Sequence, residues 1–210
     1  MIKNLLFDLG GVITDLQRQR CVDEFILLGL PDAPSYFGEY SQSGIFMDLE
    51  SGKISVDEFH RELHKAFPPG VNSPDSELDR AFELFIAGIP VHRLRALLEL
   101  RKKYKIYLLS NTNPIMWDDI LAREFEKIPP YVREDYFDGM VTSFEAHAAK
   151  PDPAIFIYTK DTLGIVPEET LFFDDSLANV HAARALGFHA RLIEPETEFM
   201  DALRDFENGL

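Results

Sequence analysis

Residues 4–12 read Asn4-Leu5-Leu6-Phe7-Asp8-Leu9-Gly10-Gly11-Val12: a short apolar run, an aspartate, and then a pair of glycines. The run Leu5–Phe7 is continuous rather than alternating, the pattern of a strand buried on both faces of a parallel sheet. An aspartate at its carboxyl end puts a carboxylate at the sheet edge where open α/β folds bind ligands. The glycines let the backbone turn sharply around it. Asp8 is therefore a candidate nucleophile or hard-metal ligand. Taken alone, it fits equally well a strand-end aspartate that closes an Asx-turn. The rest of the chain must decide between them.

Four further runs share this character: Lys105–Leu109, Met140–Ser143, Thr170–Phe173 and His189–Ile193. Between them, Val91–Lys103 carries Leu94, Leu97, Leu98 and Leu100 at mostly helical spacing. Pro153–Leu163 and Ala178–Leu186 are also helical patterns, with Gly164 and Gly187 as C-cap residues. Strands alternating with helices predict an α/β fold built on a doubly wound parallel sheet. The alternation breaks between Leu16 and Gly88, which reads as helices without a convincing strand. There, Ser55-Val56-Asp57-Glu58 is a capping-box signature ahead of Phe59, Leu63 and Phe67, and Pro68–Pro74 reads as a loop. Roughly 70 residues are too many for a simple crossover. The predicted organisation is an α/β core of residues 1–15 and 89–210, with a helical cap, residues 16–88, inserted after the first strand and covering the sheet's carboxyl edge.

Composition narrows the function. The chain has 210 residues, 46% of them hydrophobic, enough to bury a sizeable core. Its 21 Lys and Arg against 36 Asp and Glu give a net charge of -15. Unaided nucleic-acid binding is excluded, because phosphate backbones need clustered positive charge. No run approaches the roughly 18 apolar residues of a membrane span. The stretch Met1–Val12, interrupted by Asp8, does not read as a secretory signal. The single cysteine, Cys21, excludes an intramolecular disulfide and suits a reducing compartment. An acidic, cytoplasmic protein without nucleic-acid or membrane partners is expected.

Three more strand ends or loops carry chemistry. In Leu108-Leu109-Ser110-Asn111-Thr112-Asn113, a hydroxyl and an amide are placed to donate to phosphate oxygens, or simply to cap the next helix. In Lys150-Pro151-Asp152-Pro153, the aspartate suits an N-cap and the second proline the first helical turn, so Lys150 stands just before a helix N-terminus that favours anions. In Leu171-Phe172-Phe173-Asp174-Asp175-Ser176, followed by Asn179, two adjacent carboxylates close an apolar strand. They repel each other unless a cation or hydrogen-bond donors hold them, and oxygen-only donors at this density suit Mg²⁺.

In this order the four signals make the chain resemble the haloacid dehalogenase superfamily over essentially its whole length. Within it the chain looks most like the phosphatase subgroup that includes sugar-1-phosphate phosphatases and the N-terminal domain of soluble epoxide hydrolase. Leu108–Asn113 and Ser51-Gly52-Lys53-Ile54-Ser55 support that placement. The resemblance implies a Rossmann-like core with a helical cap, and Asp8 as the nucleophile that forms an aspartyl-phosphate. It implies Mg²⁺ held by Asp8, the Gly10 carbonyl and Asp175, with Asp174 acting through water or as an acceptor behind them. Ser110 and Asn111 would bind the transferred phosphoryl oxygens, and Lys150 would neutralise Asp8 and the phosphoryl charge. The chemistry is sound on its own terms, since a carboxylate reaches a phosphate dianion only past intervening cations.

Two departures matter. Many members carry a general acid where this chain has Gly10, although glycine is common in the resembled subgroup. His147 stands where related sequences commonly carry glycine, and is a candidate replacement proton donor or a solvent-facing loop residue. The expected function is a Mg²⁺-dependent phosphatase acting on a small phosphorylated metabolite. The rivals are a 2-haloacid dehalogenase, which would leave Asp174 and Asp175 without a metal to hold, and a phosphate-binding pseudoenzyme. A phosphomutase would ordinarily want an acid at position 10. Elsewhere, His60 and His64 read as a solvated cap-helix face, Cys21 as a small core residue, and Met116 and Trp117 as packing, with substrate contact the alternative. Phe37, Tyr40, Phe46 and Met47 read as the centre of the cap.

Overall fold

Leu5, Leu6 and Phe7 are fully buried because the strand they form lies in the middle of the sheet. The computed structural model describes residues 1–38 and 42–209. Its strands are β1 (Asn4–Phe7), β2 (Asp15–Leu16), β3 (Ile86–Gly88), β4 (Lys105–Ser110), β5 (Gly139–Thr142), β6 (Thr170–Asp174) and β7 (His189–Leu192). Five of them make a parallel sheet in the order β5-β4-β1-β6-β7. From β1 the chain runs outward through β4 to β5, then crosses back to β6 and on to β7. The direction of winding therefore reverses beside β1 and β6, and doubly wound sheets open their ligand crevice at the carboxyl ends of such a pair.

Alternate side chains of the central strands feed separate cores. Leu5, Phe7, Leu108, Leu171 and Phe173 pack on one face; Leu6, Leu109, Val141 and Phe172 pack on the other, against Ile155, Phe156 and Val180. The rings of Phe7 and Phe173 stack with centroids 5.0 Å apart across the β1–β6 pair. Each fully buried side chain of this size contributes about 1.5–3 kcal/mol. The helices Pro153–Leu163 and Leu177–Ala185 cover the second face, and Gly164 closes the first of them at φ 63°.

The insertion holds helices α1 (Arg18–Leu27), α2 (Ala33–Tyr36), α3 (Gly44–Glu50), α4 (Val56–Ala66) and α5 (Asp75–Glu83). The capping box of α4 forms as the sequence predicts, with the Ser55 N–H donating to Glu58 Oε2 at 2.9 Å and the Glu58 N–H donating to Ser55 Oγ at 3.3 Å. Phe46 lies at the centre of the cap core, 4.7 Å from Phe37, 5.0 Å from Phe82 and 5.1 Å from Phe59 between ring centroids. Met47 is partly buried, and Tyr40 lies outside the described residues. Cys21 is fully buried and desolvation pushes its thiol up, which leaves it an inert core residue.

Two expectations are corrected here. The segment 16–88 is not strand-free: β2 and β3 pair antiparallel where the chain leaves and re-joins the core. Arg93 fixes that neck, donating to Asp15 Oδ1 at 2.8 Å and to Glu198 Oε2 at 2.9 Å. His60 and His64 are not a solvated face either. His60 Nε2 lies 2.7 Å from Asp79 Oδ1 and His64 Nε2 lies 2.7 Å from Asp75 Oδ1, so two i, i+4 pairs join α4 to α5.

Candidate active site

The ladder between β1 and β6 runs one residue past β1, where the Asp8 N–H donates to the Phe173 carbonyl at 2.9 Å. That register carries Asp8 to the same edge as Asp174, the last residue of β6. Lys150 Nζ lies between the two carboxylates, 2.8 Å from Asp8 Oδ1 and 2.7 Å from Asp174 Oδ2. It also donates to the Leu109 carbonyl in β4 at 3.1 Å. Lys150 is only 4% exposed, so the lysine read as standing before a helix N-terminus is an internal cation. Asp152 caps that helix instead, accepting from the Ala154 N–H at 2.8 Å.

Asn111 sets the position of Lys150. Its Nδ2 donates to the Lys150 carbonyl at 2.9 Å and its Oδ1 accepts from the Lys150 N–H at 2.8 Å. Oδ1 and one of the two Nδ2 hydrogens are thus engaged by the Lys150 backbone, while Asn111 still lines the cleft where phosphoryl contact was expected. Ser110 is buried at the cleft floor beside it.

Asp8, Asp174 and Asp175 each offer an oxygen, all within 4.8 Å of one another. Asp174 is fully buried and already accepts from Lys150, from the Ser176 N–H at 2.8 Å and from Asn179 Nδ2 at 2.9 Å. Asp175 is less buried and lines the cleft. Gly11 explains how it fits: φ is +70° there, and a Cβ would stand 2.1 Å from Asp175 Oδ2. Only glycine lets the loop after β1 pack so close. Burial pushes the Asp8 carboxyl well above its ordinary range, and Asp174 and Asp175 add to the rise while Lys150 opposes it. Desolvation would lower the pKa of Lys150, but Asp174 and Asp8 outweigh it and hold the ammonium charged. Three hard oxygen donors against one internal ammonium fit Mg²⁺.

A cleft opens above this cluster. Asp8, Gly10, Ser110, Asn111, Lys150 and Asp175 line it, and Asp174 lies beneath. His147 does not line it. The ring is exposed, as in the loop-residue alternative, and Nδ1 lies 3.0 Å from the Gly52 carbonyl, so it joins a core loop to the cap. Its φ of 50° falls in the left-handed region that favours glycine. Met116 reaches the cleft, whereas Trp117 packs under the Arg133 guanidinium, 3.8 Å from the ring centroid. Sequence reasoning missed Gln42 and Glu50, polar cap residues that line the cleft. The available signal was Glu50 at the end of α3, directly before Ser51-Gly52.

The sheet, the strand-end acids and the internal lysine define a hydrolase of the haloacid dehalogenase-like class. The chain belongs to that family, whose pattern it matches over residues 2–187. Among curated relatives, it is 39% identical to the D-ribitol-5-phosphate phosphatase of Bacteroides thetaiotaomicron, covering 93% of each chain. It is 30% identical to the phosphorylated carbohydrates phosphatase of Thermotoga maritima, over 68% of this chain and 58% of that one. Among solved structures, a wild-type enzyme of the family from Bacteroides thetaiotaomicron, in complex with magnesium and inorganic phosphate, superposes with a TM-score of 0.89 at 37% identity, covering 97% of this chain and 100% of that one. No helix among the described residues is long and apolar enough to cross a membrane.

Proposed function

We propose that the protein is a Mg²⁺-dependent phosphatase that hydrolyses a small sugar or polyol phosphate through an aspartyl-phosphate on Asp8. The observation that carries this reading is Lys150 held between Asp8 and Asp174, with Asp175 alongside, at the floor of a cleft roofed by the insertion. The relatives that act on phosphorylated carbohydrates and a pentitol phosphate support the substrate class. A dehalogenase would not need the acidic cluster.

Asp8 Oδ1 is fixed by Lys150 and by the Leu9 N–H at 2.6 Å, so the carboxylate cannot swing away from an incoming phosphorus. The ester is bound with its phosphoryl oxygens on the Ser110 hydroxyl and the Asn111 N–H. Asp8 attacks phosphorus as the bond to the alcohol oxygen breaks, and that oxygen takes up a proton from solvent water. Water then adds to phosphorus and displaces Asp8, returning a proton to solvent and releasing inorganic phosphate. Lys150 offsets the charge of nucleophile and phosphoryl group throughout. Asp8, the Gly10 carbonyl, Asp175 and Asp174 would hold Mg²⁺, which would supply the second cation that a carboxylate needs to meet a dianion. Residues 16–88 act as the cap that excludes bulk water and limits the alcohol to small groups.

Turnover of p-nitrophenyl phosphate with and without Mg²⁺ tests the reading: activity that appears with Mg²⁺ and vanishes with chelator is expected, and none in either condition refutes it. The carboxylates are also separable. Asp175→Asn should weaken Mg²⁺ binding, measured by calorimetry, more than Asp174→Asn does. The latter should fall in the about 10- to 100-fold range of residues that orient a ligand. The reverse order would move direct ligation to Asp174.

The missing acid yields a third expectation. Gly10 lies outside the left-handed region, and a Cβ there would first meet the flexible end of Leu16 at 3.2 Å. Gly10→Asp should therefore be tolerated, and should raise single-turnover rates on alkyl phosphates by up to about 10²-fold, the low end of general-acid contributions. p-Nitrophenyl phosphate, whose phenolate leaves unaided, should respond little. An equal response of both substrate types would show that protonation does not limit the chemical step.

A further inference from the structure

Gln42 is only 8% exposed and lines the cleft, and no group among the described residues donates to its buried Oε1. A buried acceptor without a partner is uncommon, because desolvating it costs more than an ordinary hydrogen bond contributes. In a binding cleft, such an atom marks where a ligand donor completes the structure. Glu50 lines the same cleft at 7% exposure and ends α3. Its backbone is anchored to the core. Ser143 Oγ donates to the Glu50 carbonyl at 2.6 Å and accepts from the Thr112 N–H at 3.0 Å, two residues beyond Ser110. His147 secures the same segment through the Gly52 carbonyl. The position of the Glu50 backbone relative to the loop after Ser110 is thus set by hydrogen bonds. Burial pushes this carboxyl up to about 7, against the pull of Lys150. Near neutrality it can therefore both donate and accept.

The neighbouring cap-side wall, formed by Leu16, Phe85 and Ile86, is apolar. Gln42 and Glu50 are thus two hydrogen-bonding groups beside an apolar wall, with no cation from the cap among the described residues that line the cleft. An anionic alcohol would be repelled by Glu50, and a plain alkyl or aryl alcohol would leave Gln42 Oε1 unmet. Building on the phosphatase reading, we infer that Gln42 and Glu50 form the subsite that reads hydroxyls on the alcohol half of the substrate, selecting an uncharged polyhydroxylated chain. Gln42 Oε1 accepts from one hydroxyl, and the Glu50 carboxyl pairs with another. Pockets built around hydroxyl contacts discriminate strongly, because the analogue lacking the hydroxyl strands the pocket's own polar groups.

The test compares D-ribitol 5-phosphate with n-pentyl phosphate, which has the same carbon count and no hydroxyls. In Gln42→Leu and Glu50→Leu, the preference for the pentitol ester in kcat/KM should fall about 10- to 100-fold. Glu50→Gln, which keeps a donor and an acceptor, should recover most of it. A preference unchanged in both leucine variants, or unrecovered in Glu50→Gln, overturns the assignment. Binding of free D-ribitol, followed by NMR with Mg²⁺ and inorganic phosphate present, gives a readout independent of turnover. Wild type should bind and the leucine variants should bind at least about 10-fold more weakly; no binding by wild type, or equal binding by all, also overturns it. Hydrolysis of p-nitrophenyl phosphate by the wild type judges the phosphatase reading separately. If that fails while ribitol binding follows the expected order, the subsite stands and the reaction does not.

Discussion

Asp8→Asn should lose at least about 10³-fold in turnover of every phosphate monoester, the scale on which an unreplaced nucleophile is felt, while melting no lower than the wild type. The two halves of this expectation come from the same site. Asp8 is buried, and burial is the largest influence on its carboxyl, which is held far above its ordinary range. The isosteric amide removes a desolvated charge that Asp174 and Asp175 already oppose. Lys150 keeps Asp174 and the Leu109 carbonyl as partners, so no cation is stranded. The carbonyl oxygen of the new amide still accepts from Leu9, but it cannot form a stable acyl-phosphate. Single-turnover phosphate release and thermal melting measure the two quantities. Residual activity above about a tenth of wild type would rule out covalent catalysis by Asp8. A large drop in melting temperature would show that its charge holds the fold.

The parts of this site that the sequence displays are those whose position follows from strand periodicity. Leu5–Phe7 and Leu171–Phe173 are apolar without interruption, so each ends unambiguously at its aspartate, and parallel pairing of β1 with β6 does the rest. The neck strands gave no such signal. Leu16 and Asp15 are exposed, and β3 is only partly buried, so these short segments are held by pairing and by Arg93 rather than by an apolar pattern. Direction of burial was equally invisible for Lys150. Nothing local distinguishes a lysine that turns inward from a solvated one. The difference is made by Asn111 clamping its backbone from 39 residues away. The pairing of His60 and His64 was partly legible: Asp75 and Asp79 repeat the same four-residue spacing, and only the antiparallel contact of α4 with α5 was missing. Gln42 and Glu50 escaped notice because a polar residue in a helical cap looks like surface until the cap is placed over the sheet.

Lys150→Met is the substitution with the largest expected effect on both catalysis and stability. The ammonium is buried between Asp8 and Asp174, and Asp175 lies within 4.8 Å of both. Methionine fills the same slot without charge, so packing is preserved and the electrostatic change is isolated. In metal-free protein, carboxylates are then left facing one another in a dry site. Breaking a buried pair in this way costs about 3–5 kcal/mol, or about 6–20 °C in melting temperature for a chain of this size. Turnover should fall at least about 10³-fold, because attack on a phosphate dianion has lost one of its two neutralising charges. On the proposed reading Mg²⁺ is the remaining neutraliser, so the rise in melting temperature on its addition should be larger in Lys150→Met than in wild type. That inversion separates the proposed role from simple misfolding, which would leave no ordered acidic cluster for Mg²⁺ to stabilise. Lys150→Arg should not rescue. The side chain is 1% exposed, and the wide guanidinium fork cannot occupy a slot fitted to a single nitrogen 2.8 Å from one carboxylate and 2.7 Å from the other. A Lys150→Met protein that melts like wild type without Mg²⁺, and gains no more from it, would show that the buried ion pairs contribute nothing net to the fold.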